Sequence, residues 1–150
     1  MSTTDLTDLA GCLHNRSLEF AEDAERFFAQ LVSAPSLSGE EEKAARLVEK
    51  EMRAAGFDEV RIDRMGNVLG RIGSGDTVVL MDAHIDTVDV GDPAEWKDFP
   101  PYPATVKDGV VYGRGAADQK CGAAALVYGG RLLQEFSLAA GCTVWVSATC

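Results

Sequence analysis

Two short apolar runs with a helical segment ahead of the second restrict this chain more than anything else in it. Thr77-Val-Val-Leu-Met81 and the stretch 143–148 are continuous and rich in β-branched residues, the composition of strands covered on both faces. Between them, residues 121–136 are rich in Ala and Leu and carry Gly122, Gly129 and Gly130, a helix that lets a neighbour approach closely. Two buried strands joined through a crossover helix pair in parallel. The chain is therefore expected to be α/β with some parallel sheet.

The other segments fit around that unit. Residues 1–16 are polar and aperiodic, which predicts a loose N-terminal tail ahead of a globular part over residues 17–150. Leu18, Ala21, Ala24, Phe28 and Leu31 keep a helical period that Pro35 ends. Ser38-Gly-Glu-Glu41 reads as a capping box opening a second helix, with Ala44, Ala45, Leu47, Val48, Met52 and Ala55 on one side. Gly56 supplies a left-handed stop, and Phe57 is placed to pack back on the last turn. Residues 60–62 and 68–72 flank Met65-Gly66-Asn67 as a hairpin, and Asp108-Gly109 predicts a second between residues 105–107 and 110–112. Residues 86–103 form a long loop whose Trp96, Phe99 and Tyr102 are expected to anchor it to the body, with pocket lining as the second reading.

Charge removes several function classes. The chain has 14 basic and 24 acidic residues, a net charge of −10, which repels phosphate backbones and anionic lipid. Neither a nucleic-acid nor a membrane partner is expected. The sequence has no apolar run of about 18 residues to span a bilayer, and its start, with Asp5 and Asp8, lacks the pattern of a secretory signal. Cys12, Cys121, Cys142 and Cys150 form no C-x-x-C pair, so free thiols in a cytoplasmic protein are the expectation.

Two constellations can carry chemistry. In Asp82-Ala-His84-Ile-Asp86-Thr87-Val88, at the end of the first apolar run, residues two apart share a strand face. A histidine beside a carboxylate is a recurring metal arrangement, one ring nitrogen on the ion and the other held by the acid. It is also a common structural pair. In Gly113-Arg-Gly-Ala-Ala-Asp118-Gln-Lys120-Cys-Gly122 a turn leads into a helix, where Asp118 could equally be an N-cap and Arg114 and Lys120 salt-bridge partners on a solvated loop. Together they are more specific: a strand-end His and a loop-to-helix Asp would meet near the carboxyl end of an open sheet, where α/β folds place their sites. His14 is expected to be exposed, and Asp82 a neighbour of the site. The Gly-x-Gly at 113–115 lacks a nucleotide fingerprint.

These residues, with Pro35-Ser-Leu-Ser-Gly-Glu-Glu41, Gly56-Phe57 and Met65-Gly-Asn-Val68 upstream, resemble the N-terminal signatures of the M20 family of metallopeptidases and amidohydrolases. That family includes acetylornithine deacetylase, succinyl-diaminopimelate desuccinylase, aminoacylase and carboxypeptidase G2. Met81-Asp-Ala-His-Ile-Asp-Thr-Val88 is especially similar to the subgroup named as selenium-metabolism hydrolases. The resemblance implies a partial three-layer αβα catalytic domain with a mixed sheet, of the zinc-peptidase-like (phosphorylase/hydrolase-like) type. It implies that His84 ligates one of two divalent metal ions, that Asp86 orients it, and that Asp118 bridges the two, zinc being usual and cobalt possible. A cis peptide at Asp118–Gln119 is implied as well.

The implied activity is metal-dependent hydrolysis of C–N amide bonds in N-acyl amino acids, dipeptides or related small molecules, through a water activated by both ions. Whole relatives are often homodimers. Gln119 and Cys121 depart from the residues usual in the second signature. The family's Glu-Glu pair, one of them the general base, follows the strand matching residues 143–148. That pair, the later ligands and the lid and dimerisation domain lie outside this sequence, so the 150-residue chain is expected to be inactive alone. The alternative is a non-catalytic, truncated or degenerate fragment with weak metal binding or a protein-contact role.

Overall fold

The computed structural model describes residues 3–150. Helices α1 (Thr3–Glu19), α2 (Ala21–Val32) and α3 (Glu42–Ala54) come first. Strands β1 (Glu59–Ile62), β2 (Val68–Gly73) and β3 (Thr77–His84) follow, then the small hairpin β4 (Thr105–Lys107) and β5 (Val110–Tyr112). Helix α4 (Cys121–Glu135) and strand β6 (Cys142–Thr149) close the chain. The main sheet has the order β1-β2-β6-β3, with β3 and β6 parallel and the other pairs antiparallel. It is a mixed sheet in an α/β fold, and α4 is the crossover between its two parallel strands.

The core lies on one face of that sheet. Val60, Val68, Ile72, Val144, Val146, Ala148 and Ala83 alternate inward along their strands and are buried with Phe27, Leu31, Val48, Met52 and Val127 of the helices. Phe57 wedges between β2 and α4, and the space for its ring exists because two neighbours lack side chains. A Cβ on Gly70 would lie 2.6 Å from Phe57 Cδ1, and one on Gly130 2.3 Å from Phe57 Cζ. Gly56, at φ 85°, makes the left-handed turn that delivers Phe57 there.

Three expectations are corrected. The loose tail expected over residues 1–16 is, from Thr3, the helix α1; residues 1–2 lie outside the described part. Most of this helix is exposed, which left little pattern to read. Its last turn is tied down by Arg16, which pairs with Glu135 at 2.7 Å and lies over the Phe20 ring at 4.7 Å. The capping box does not form as such: α3 begins after Glu41, whose carboxylate accepts from the Gly39 amide at 2.7 Å, while Ser38 bonds elsewhere. The apolar run at residues 77–81 is not covered on both faces. It lies in the edge strand β3, where Val78 and Leu80 are each 64% exposed. The other apolar run, in β6, is central and largely buried, as expected.

Candidate metal centre

His84 is the last residue of β3, and the chain beyond it is pinned. The Ile85 amide donates to Thr149 O at 2.8 Å, the Thr87 amide to Ser36 O at 2.7 Å, and the Ser36 hydroxyl to Ile85 O at 2.7 Å. Ser36, Ile85 and Thr87 are all buried. Asp86 is thereby held between two fixed residues, and its two carboxylate oxygens have separate partners. Oδ1 lies 3.0 Å from His84 Nδ1, and Oδ2 accepts from the Ser38 hydroxyl at 3.0 Å. A carboxylate on Nδ1 fixes the ring orientation and the tautomer that leaves Nε2 as the donor atom for an ion.

The second signature forms a turn that closes over this strand end. Gly115 sits at φ 78°, and a Cβ there would fall 2.5 Å from Thr87 Cγ2, so only glycine lets the two segments touch. Asp118 follows with extended φ/ψ of −126° and 98°, and the Asp118–Gln119 peptide is cis. Asp118 caps no helix; its Oδ1 lies 2.9 Å from His84 Nε2. The imidazole is thus bracketed by Asp86 on one nitrogen and Asp118 on the other. His84 is 35% exposed and Asp118 89%. Burial opposes protonation of His84, but the hydrogen bond to Asp118 and the charge of Asp86 outweigh it and raise its pKa above the usual value.

A cavity of about 240 Å³ opens at this point, lined by His84, Asp86, Thr87, Asp118 and the turn from Gly113 to Ala117. The donor set, one imidazole nitrogen and one exposed carboxylate, suits a divalent transition metal. Among the described residues no group of three His, Cys, Asp or Glu side chains comes together to complete a metal site. Asp82 stays beside the site, 3.4 Å from the Thr149 hydroxyl, and His14 is exposed. All four thiols are free; Cys121 faces the Ala117 carbonyl at 3.4 Å.

Lys120 and Arg114 depart from the solvated-loop reading. Lys120 is fully buried, and its ammonium donates to Leu31 O at 3.0 Å and Ala34 O at 2.7 Å, the carbonyls where α2 ends. Burial pushes its pKa down to about 8, against a smaller opposing pull from Asp86. A helical signal was available: Lys120 precedes the buried Ala123, Ala124 and Val127 on the same face of α4. Arg114 makes no ion pair among the described residues and lies over the Trp96 ring at 5.2 Å. Ser38 was hidden by its resemblance to a cap. Of the loop aromatics, Trp96 bonds Val90 O at 2.9 Å, Phe99 stacks on Tyr112 at 4.0 Å, and the Tyr102 hydroxyl meets Thr87 Oγ1 at 3.3 Å. They anchor the loop, and Trp96 and Phe99 also line a cavity.

Residues 80–150 match the model of peptidase family M20/M25/M40. The chain is 41% identical over 134 residues to the uncharacterized protein YgeY of Escherichia coli, covering 89% of this chain and 33% of that one. It is 41% identical over 103 residues to succinyl-diaminopimelate desuccinylase of Cereibacter sphaeroides, covering 66% and 27%. The fold superposes on the M20 family metallo-carboxypeptidase Sso-CP2 of Sulfolobus solfataricus with a TM-score of 0.74 at 20% identity, covering 84% and 30%. The chain thus spans about a third of the length of the curated relatives it matches. It belongs to the M20 metallopeptidase family, of which it carries the amino-terminal portion.

Proposed function

We propose that this chain supplies one end of a metal centre that hydrolyses amide bonds of small molecules such as N-acyl amino acids or dipeptides. The observation that carries the reading is the bracketed imidazole: Asp86 holds Nδ1 at 3.0 Å, and Asp118 stands 2.9 Å from Nε2. His84 and Asp118 would hold divalent ions, zinc or cobalt, with Asp118 free to offer its second oxygen to a neighbouring ion. Such ions, when bound, supply Lewis-acid polarisation of the amide carbonyl and an acidified water. Asp86 keeps the ring turned toward the ion, Ser38 keeps Asp86 in place, and Lys120 fixes the turn that presents Asp118. On this reading the general base would come from sequence beyond residue 150, and homodimers and a cytoplasmic site belong to the same reading.

A second reading, a non-catalytic chain with weak metal binding, has one observation behind it. The described residues bring together two ligating side chains, whereas a catalytic zinc takes about three from protein. One experiment separates the two. Zinc or cobalt is titrated into the native gene product and into the 150-residue chain, and both are assayed on a panel of N-acyl amino acids and dipeptides. The first reading expects metal-dependent turnover by the gene product, none by the 150-residue chain, and loss of metal uptake in His84→Ala and Asp118→Ala. A gene product that binds metal tightly and turns over nothing favours the second, and metal uptake unchanged in both variants removes both.

A further inference from the structure

Beside the metal cavity lies a larger one, of about 600 Å³, walled by Trp96, Phe99 and Tyr112. The two adjoin, with Gly113, Arg114, Ala116 and Ala117 lining both. Arg114 is the one cation on that shared wall. Its guanidinium lies over the Trp96 ring at 5.2 Å, and its Nε is buried with no hydrogen-bond partner among the described residues. Buried donors are nearly always satisfied, and an unsatisfied one asks for an acceptor.

The acceptor is not supplied by the surrounding side chains. Glu95 and Asp98 line the same cavity, but both are exposed, and among the described residues Arg114 makes no ion pair. Lys97 is likewise exposed there. The backbone of Arg114 is fixed by its amide donating to Pro101 O at 3.0 Å. The indole of Trp96 is fixed by its bond to Val90 O at 2.9 Å. A guanidinium held over an aromatic ring on a cavity wall is suited to a carboxylate, because its terminal N–H groups can donate to the two oxygens together.

We propose that Arg114 binds a carboxylate carried by the substrate at the end remote from the scissile amide, and so selects amides with an anionic arm. Apolar walls at Trp96, Phe99 and Tyr112 would flank the arm. The assignment of that carboxylate to a substrate rests on the amide-hydrolase reading; the binding itself does not.

The test uses both. The chain has two tryptophans, so Trp145→Phe leaves Trp96 as the sole reporter beside Arg114. In that background, freed of metal with chelator, succinate is titrated against its neutral analogue succinamide while indole fluorescence is followed. Saturable binding of succinate and not of succinamide is expected. Arg114→Gln should weaken succinate binding at least about tenfold and Arg114→Lys less, the size of losing one charge-assisted contact. Equal responses to the two ligands, or identical titrations for wild type and Arg114→Gln, overturn the proposal. So does a native gene product that binds no succinate where the 150-residue chain does, since its own acid then fills the site.

The same variant is then assayed in the gene product. The ratio of kcat/KM for an amide with a carboxylate-ended acyl group over its neutral isostere should fall about tenfold, with metal content unchanged. An unchanged ratio overturns the substrate assignment. Turnover of no amide by wild type refutes the hydrolase reading, and with it the substrate assignment, while the succinate titration still decides whether Arg114 is an anion receptor.

Discussion

Replacing Lys120 by Met tests the buried strut beneath the candidate site, and the structure sets the magnitude. Met keeps the length of the lysine stem, so the apolar packing is conserved and the change is confined to the ammonium. Its removal strips the donor from two buried carbonyls, Leu31 O and Ala34 O. An unsatisfied buried acceptor costs about 1–3 kcal/mol, and removing the cost of burying the charge returns part of that, which leaves a net loss of about 2–4 kcal/mol. For a domain of this size that lowers Tm by about 5–12 °C. The pH dependence supplies an independent check. Lys120 has a pKa of about 8 in the folded chain against an ordinary 10.5, so between these values the unfolded chain binds more protons. Wild-type stability from this source therefore rises with pH across that window, by at most about 1.4 kcal/mol per pH unit, and the rise is absent in Lys120→Met. Thermal and urea unfolding from pH 7 to 10 reads both. A loss under about 1 kcal/mol at pH 7 with parallel pH profiles would refute the reasoning, because it would mean that the ammonium reaches water.

The remaining predictions use the same logic at other points. Gly130→Ala drives a methyl into Phe57 and should cost about 1–3 kcal/mol, while Gly129→Ala, with nothing within 4 Å, should be neutral or stabilise by up to about 1 kcal/mol; urea midpoints of the pair decide it. Asp86→Asn should weaken zinc or cobalt binding by about 10- to 100-fold without a comparable loss of Tm, measured by calorimetric titration. Ser38→Ala, which frees one oxygen of Asp86, should shift metal affinity in the same direction by less; a larger effect than that of Asp86→Asn would show that Ser38 acts by another route.

What could be read in advance follows from what one-dimensional patterns encode. A helical period located α2 and α3, and alternation the hairpin of β1 and β2, because those elements bury one face against the core and their sequences carry that face as a repeat; α4 and β6 were legible from composition, and the hairpin of β4 and β5 from Asp108-Gly109. Helix α1 escaped because it is mostly exposed and is fixed by Arg16 at one end. The misreading of residues 77–81 has a different cause. A continuous apolar run reports how much apolar surface a strand carries, and burial depends on what lies against it; in β3 the residues facing away from the core, Val78 and Leu80, remain open.

The same distinction governs the site. That His84 and Asp118 meet was legible because a strand end and a loop-to-helix junction converge at the carboxyl end of parallel strands. Their supports were not, because support is a matter of direction: Ser38 looks like a helix cap until its hydroxyl is seen to face Asp86, and Lys120 looks like a surface charge until its ammonium is seen to donate to Leu31 O and Ala34 O at and just beyond the end of α2. Arg114 reverses that pattern, since what marks it is an Nε with no hydrogen-bond partner among the described residues. A polar side chain that satisfies a neighbour tells how the site is held, and one left unsatisfied on a cavity wall tells what the cavity is for. On that reasoning Lys120→Met should act chiefly on folding and Arg114→Gln chiefly on the choice of ligand. A Tm loss in Arg114→Gln as large as that of Lys120→Met would place both residues among the supports.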